Sequence, residues 1–156
     1  MTHAPRRVVY DCVVFAQALI NPNGPAGECV KRAQAGQISL FVSDYLVREI
    51  IELYSRIPAR YGVTRRQIND LADQVSLFGT FVWPVPSVYT HPIDPDDSPY
   101  VDLAMAANAR IIVSRDRHLL NLMDQAKPEG REFKRLFPTI MVVTPDAFAM
   151  QLRAER

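Results

Sequence analysis

The sequence predicts an α/β domain in which helices cover both faces of a mainly parallel sheet. Short apolar runs rich in β-branched residues alternate with helical segments along the chain, and this alternation favours parallel strands joined by helices. No internal repeat, low-complexity stretch or linker interrupts the pattern. The 156 residues therefore predict one domain, residues 1–156.

The first half of the chain predicts two strands and three helices. Ser43 is placed to cap the helix that follows the second strand. Thr64 and Gln67 have the spacing of a capping box, which predicts another helix start. In order, the sequence predicts a strand at 7–10, a loop at 21–24, a helix at 25–35, a strand at 38–42 and helices ending near 55 and 77.

The second half predicts three further strands around a loop rich in acids and prolines. Pro84 and Pro86 place the strand at 81–85 near a sheet edge or end it early. Ser98 and Thr144 each precede a proline, the order expected for a helix cap and first turn. The other predicted elements are an acidic loop at 90–97, a helix ending at 107, a strand at 111–114, a loop and short helix at 115–123, an irregular surface segment at 127–138, a strand at 141–143 and a terminal helix.

Composition and charge indicate a globular protein without a strong general attraction for nucleic acid. Apolar residues make up 48% and charged residues 22% of the chain, and the net charge is only +1. The apolar runs are too short to span a bilayer, and Asp11 interrupts the first one, which argues against a signal peptide. Cys12 and Cys29 form neither a disulfide framework nor a zinc motif, so we expect a reducing, cytoplasmic location and no membrane partner.

Four carboxylates from separate segments are the candidate functional residues. Asp11 and Asp116 directly follow two apolar strands, and ligands bind α/β sheets outside the carboxyl ends of the strands. Asp97 begins a predicted helix, and Glu49 lies within another. Each acid also has a structural explanation that needs no function: a turn cap for Asp11, a surface ion pair for Asp116, a solvated helix position for Glu49 and a turn acid for Asp97.

Carboxylates gathered at one end of a sheet repel one another unless a cation lies between them. Oxygen ligands alone favour Mg²⁺ or Mn²⁺ over zinc. Such an ion activates water and neutralises charge on a phosphate, so the pattern predicts phosphodiester hydrolysis. Arg115 and Arg117 are the cations nearest to these acids in sequence and are candidate substrate-binding residues for phosphate.

Other catalytic patterns are absent from the sequence. It contains no Gly-x-Ser-x-Gly motif and no glycine-rich phosphate loop. His91 and His118 are isolated; a surface position is favoured for His118, with substrate contact as the alternative. Cys12 has no nearby histidine partner, so a buried thiol is favoured over a nucleophile.

The order of these segments resembles PIN-domain proteins of the toxin–antitoxin toxin type. The resemblance covers about residues 7–145. The similar segments are Val8-Val-Tyr-Asp11, Ala18-Leu-Ile-Asn-Pro-Asn-Gly-Pro25, Ser43-Asp-Tyr-Leu-Val-Arg-Glu49, Asp94-Pro-Asp-Asp97, Leu103-Ala104 and Ala109-Arg-Ile-Ile-Val-Ser-Arg-Asp116-Arg-His-Leu-Leu120.

The resemblance implies a three-layer α/β/α fold with a central parallel sheet and a metal-dependent endoribonuclease that uses Mg²⁺ or Mn²⁺. Position by position, the family's acids correspond to Asp11, Glu49, Asp97 and Asp116. Asp102, about one turn further along, is an alternative for the third acid. The resemblance also implies an RNA substrate, an antitoxin that blocks the acidic groove, and a homodimer.

Three positions depart from the family pattern. The opening acid is usually followed by Thr and Asn, whereas Cys12 and Val13 stand here. The asparagine amide helps to order the water shell of the metal, and loss of such a group weakens metal binding by about 10–100-fold. Arg115 also stands where the family often has Gly. A weakened or inactive RNA-binding or regulatory module on the same fold is therefore the alternative function.

Overall fold

The computed structural model describes residues 4–155 and contains a central five-stranded sheet; residues 1–3 and 156 of the predicted domain lie outside the described residues. All strand pairs are parallel, in the spatial order β3-β2-β1-β4-β5. The predicted α/β fold with a parallel sheet is therefore confirmed. The strands are β1 (Arg7–Tyr10), β2 (Ser39–Val42), β3 (Thr80–Phe81), β4 (Ile111–Val113) and β5 (Met141–Val143).

Eight α-helices among the described residues cover this sheet. Helical connections between parallel strands of one sheet are right-handed in nearly all proteins. The connections from β1 to β3 and from β4 to β5 run toward opposite edges of the sheet, so their helices lie on opposite faces. No helix among these residues is long and apolar enough to cross a membrane. The helices are α1 (Cys12–Ile20), α2 (Pro25–Gln34), α3 (Asp44–Glu52), α4 (Arg65–Phe78), α5 (Ser98–Ala106), α6 (Arg117–Leu120), α7 (Pro128–Leu136) and α8 (Pro145–Ala154).

Most of the predicted helix starts are confirmed by their caps. The Ser43 hydroxyl accepts a hydrogen bond from the backbone N–H of Leu46, and Thr64 forms a capping box with Gln67. Thr144 caps α8 in the same way. The cap predicted at Ser98 is wrong: its hydroxyl accepts from the backbone N–H of His91, and the helix begins at Ser98 itself.

The segment 127–138, predicted to be irregular, contains α7. Phe133 is fully buried, and its ring lies 5.5 Å from that of Tyr89 and 5.2 Å from that of Phe137. Gly130 lets the helix approach the preceding turn, because a Cβ there would collide with the carbonyl oxygen of Asp124. The three aromatic rings fix the chain on the approach to the acidic loop.

Helix α1 has no counterpart among the predicted elements. It follows Asp11 directly, and nearly all of its residues are apolar, so no alternation of apolar and polar positions reveals it. Its residues Val14 and Phe15 are fully buried. A cap supplied by Asp11 is the sequence signal that identifies this helix.

Candidate active site

An acidic pocket of about 350 Å³ lies at the carboxyl ends of β1 and β4. From β1 the chain adds β2 and β3 toward one edge of the sheet, and from β4 it adds β5 toward the other edge. The strand order therefore reverses between β1 and β4. Ligands of open α/β sheets bind at this position. The predicted acids Asp11, Glu49, Asp97 and Asp116 all line this pocket.

Asp11 is almost completely buried, with 2% of its surface exposed. Its Oδ1 accepts a hydrogen bond from the backbone N–H of Val14 at 3.2 Å, so the residue caps α1 while it lines the pocket. Its Oδ2 accepts from the hydroxyl of Ser114. Burial raises the pKa of Asp11 to about 6.

Ser114 joins the two acids that follow the central strands. Its hydroxyl donates to Asp11 and accepts from the backbone N–H of Asp116 at 2.9 Å. Asp116 then accepts, through Oδ1, from the backbone N–H of His118 at 2.7 Å and caps α6. Ser114 thus fixes the Asp11 carboxylate and the backbone of Asp116, a role that its position at the end of an apolar strand does not reveal from sequence.

The acidic loop Asp94–Asp97 supplies the third predicted acid. Asp97 is 7% exposed, and burial, followed by the carboxylates of Asp116 and Asp94, raises its pKa to about 7. Its Oδ2 is buried without a hydrogen-bond partner among the described residues and lies 4.0 Å from Nδ1 of His118. A buried carboxylate oxygen without a donor is costly unless a cation or proton satisfies it.

His91 organises this loop and is not an isolated histidine. It is 1% exposed, and its Nδ1 accepts hydrogen bonds from the backbone N–H groups of Ile93 and Asp94, both at 3.1 Å. Because Nδ1 accepts, the proton of the neutral ring lies on Nε2, which donates to the carbonyl oxygen of His118 at 2.9 Å. His91 therefore ties the acidic loop to α6.

Glu49 enters the pocket from α3, where it is paired with an arginine. Both terminal nitrogens of Arg56 donate to Glu49 at 3.1 Å, and one also donates to Glu52 at 2.9 Å. Arg56 is the only basic residue among the described residues that line the pocket. Sequence reasoning missed it because it lies seven residues beyond Glu49, after the end of α3.

Two of the three positions that depart from the family pattern, Cys12 and Val13, also line the pocket. Cys12 is buried, and burial raises the pKa of its thiol to about 11, which keeps it protonated at neutral pH. Its backbone N–H donates to the hydroxyl of Tyr100 at 3.2 Å. Val13 is 39% exposed and presents an apolar side chain where an asparagine would present an amide.

Three other candidate residues lie outside the pocket lining. Asp102 accepts from the backbone N–H groups of Val88 and Tyr89 at 2.8 and 3.0 Å, so its carboxylate fixes the segment before the acidic loop. Arg115 forms an ion pair with Asp146 on α8 rather than with Asp116. Arg117 is exposed at the start of α6.

The donor set of this pocket fits a divalent cation. Four ligand atoms, one from each of Asp94, Asp97, Asp116 and His118, lie within 4.8 Å of one another. The site brings three carboxylates together, and the buried Oδ2 of Asp97 has no hydrogen-bond partner there among the described residues. Hard cations such as Mg²⁺ and Mn²⁺ bind carboxylate oxygen.

Comparison with known proteins places this arrangement in a family. No curated protein matches the chain. A family model described as a PIN domain matches residues 7–118, which run from β1 to the start of α6 and include every acid of the pocket. Since this match covers most of the chain, the protein belongs to the PIN domain family.

Proposed function

We propose that this protein is a metal-dependent endoribonuclease that hydrolyses RNA in the acidic pocket. PIN domains are typically metal-dependent nucleases. The observation that supports the proposal most strongly is the buried Asp97, which has an oxygen without a donor and two further carboxylates beside it. Such an arrangement is costly unless a cation or a proton reduces its negative charge.

The proposed ion is Mg²⁺ or Mn²⁺, bound among the predicted acids Asp11, Glu49, Asp97 and Asp116, which all line the pocket. When bound, it supplies an activated water and neutralises charge that develops on the phosphate. Ser114 supports this site through two hydrogen bonds: its hydroxyl donates to the Asp11 carboxylate and accepts from the backbone N–H of Asp116.

Arg56 is better placed than the predicted arginines to receive a substrate phosphate. Its side chain is 47% exposed, and it lines the same pocket as the acids. Its guanidinium can offer a forked pair of donors to phosphate oxygens. Arg115, in contrast, is held by Asp146, and Arg117 is outside the pocket lining. Arg115 and Arg117 remain proposed contacts for RNA phosphates that lie outside the pocket.

The finer proposal is that the protein is the toxin of a toxin–antitoxin pair. It rests on the resemblance of the segments around Asp11, Glu49 and Asp116. An antitoxin would then inhibit the enzyme by covering the acidic pocket, and a homodimer is the proposed assembly. Cys12 and Cys29 are both buried free thiols, which supports a reducing cytoplasmic location.

A second candidate function is an inactive RNA-binding or regulatory module. Two observations favour it: Val13 offers no amide to a metal-bound water, and Arg56 already neutralises Glu49. Such a module would bind RNA through Arg56 and neighbouring cations without cutting it.

Cleavage of a labelled mixed-sequence single-stranded RNA tests the proposal. We expect cleavage in Mn²⁺ or Mg²⁺, none in EDTA, and loss of cleavage in Asp11→Asn and Asp116→Asn. Asp73→Asn, an exposed acid on α4 outside the pocket, is the matched control and should cleave at the wild-type rate. RNA binding without cleavage by the folded wild type would favour the second function, and cleavage by Asp116→Asn at the wild-type rate would refute the site.

A further inference from the structure

We propose that His118 and Asp94 are direct ligands of the ion at this site, together with Asp97 and Asp116, and that the imidazole makes the site select a first-row transition ion over Mg²⁺. The inference rests on the proposed metal site but assigns it a different donor set, three carboxylates and one imidazole. It also predicts a selectivity that an all-carboxylate site lacks, since imidazole nitrogen suits transition metals better than Mg²⁺.

The spacing of the four ligand atoms supports this assignment. Ligands bound at about 2.1 Å on opposite sides of an ion are about 4.2 Å apart. The atoms here all lie within 4.8 Å of one another, so inward shifts of a few tenths of an ångström would bring them into coordination. His118 Nδ1 is 3.3 Å from Asp94, 3.9 Å from Asp116 and 4.0 Å from Asp97.

The second observation is the unpartnered oxygen of Asp97. The residue is more than nine-tenths buried, and its Oδ2 has no hydrogen-bond partner among the described residues although it faces Nδ1 of His118. A simple ion pair between His118 and Asp94 leaves this oxygen unsatisfied. It also sets at most one positive charge against three carboxylates. A divalent ion satisfies the oxygen and removes most of the charge imbalance.

The remaining hydrogen bonds hold the four side chains in the required orientations. Asp94 uses Oδ1 to accept from the backbone of Asp96 at 3.1 Å, which leaves Oδ2 directed toward His118. Asp116 is anchored by the backbone N–H of His118. His91 fixes both sides of the cluster, because it binds the backbone of the acidic loop and the carbonyl oxygen of His118. Outer contacts of this kind orient the ligands of metal sites.

Glu49, in contrast, is engaged elsewhere. Arg56 binds it through two nitrogens, and Glu49 is not a member of the four-residue cluster. The geometry therefore favours His118 and Asp94 over Glu49 as the partners of Asp97 and Asp116 around the ion.

The test measures Mn²⁺ and Mg²⁺ affinity by calorimetry in the wild type, His118→Gln, Asp94→Asn and Asp73→Asn. His118→Gln removes the nitrogen ligand but keeps a polar side chain at a position that is one third exposed, so the fold should tolerate it. We expect this variant to bind Mn²⁺ at least about tenfold more weakly, with a much smaller change for Mg²⁺. Asp94→Asn should weaken both ions, and Asp73→Asn neither.

Electron spin-echo modulation of bound Mn²⁺ supplies a readout that is independent of activity. We expect a ¹⁴N coupling from a directly bound imidazole in the wild type and its loss in His118→Gln. His91 cannot supply this signal while both of its ring nitrogens are bonded to the backbone. Mn²⁺ bound without ¹⁴N coupling, and with unchanged affinity in His118→Gln, would overturn the inference while leaving the nuclease proposal intact. Coupling in a protein that does not cut RNA would support the inference and refute the nuclease proposal.

Discussion

Replacing Asp97 by asparagine should stabilise the protein in EDTA and reduce the further stabilisation that Mn²⁺ gives. The substitution keeps the size of the side chain and removes a charge that is buried beside two other carboxylates. Without an ion, that charge opposes folding. With an ion, it contributes to binding, and ligand binding stabilises the folded state by an amount that grows with the logarithm of the affinity.

The magnitude follows from the pKa of Asp97. Burial raises it from 3.8 to about 7, and each pH unit corresponds to about 1.36 kcal/mol, so ionisation costs the folded state about 4 kcal/mol. Below pH 4 the carboxyl is protonated in both the folded and unfolded states, so the cost is absent. Between pH 4 and 7 only the unfolded state ionises, and wild-type stability falls as the pH rises. The asparagine side chain of the Asp97→Asn variant cannot ionise, so the variant escapes this loss.

Urea unfolding in EDTA between pH 4 and 8 measures the difference. The asparagine variant should match wild type near pH 4 and exceed it by about 4 kcal/mol at pH 8. Asp73→Asn, which changes an exposed acid, should follow the wild-type curve. A variant no more stable than wild type at pH 8, or an advantage that grows toward acid pH, would refute the reasoning.

Three further predictions concern residues around the pocket. Val13→Asn should tighten Mn²⁺ binding by about tenfold in calorimetry, because it restores an amide near the metal-bound water; unchanged affinity would mean that the amide has no role here. Phe133→Ala should lower the free energy of unfolding by about 3–5 kcal/mol, since it empties a buried aromatic site on α7, and a loss under 1 kcal/mol would contradict the buried helix. His91→Phe should weaken Mn²⁺ binding by about 10–100-fold in a folded protein. His91→Asn, whose oxygen can replace Nδ1 as an acceptor, should recover part of that affinity; equal losses in both variants would argue against control of the loop by Nδ1.

The sheet and most caps could be predicted because their signals are local. The apolar runs at 7–10, 38–42 and 141–143 form strands within one residue of the predicted limits. Thr64 and Gln67 form their capping box within a single turn. Asp11 and Asp116 were recognisable because the carboxyl ends of parallel strands meet at one edge.

The hydrogen bonds and packing contacts that position the acidic loop could not be predicted, because they join residues far apart in sequence. His91 acts across 27 residues on His118, and Asp102 acts across 14 on Val88. Helix α7 was missed because the burial of Phe133 depends on Tyr89, more than 40 residues earlier in the chain. Neither Phe133 nor Tyr89 shows, from its own place in the sequence, whether its side chain is buried or exposed.

Anomalous diffraction from crystals soaked in Mn²⁺ tests the metal site most directly. We predict a single strong peak in the acidic pocket, about 2.2 Å from carboxylate oxygens of Asp97 and Asp116. The peak should be absent from Asp97→Asn crystals treated in the same way. A pocket without a peak, at a Mn²⁺ concentration that supports RNA cleavage in solution, would contradict the assignment of these acids as the metal site.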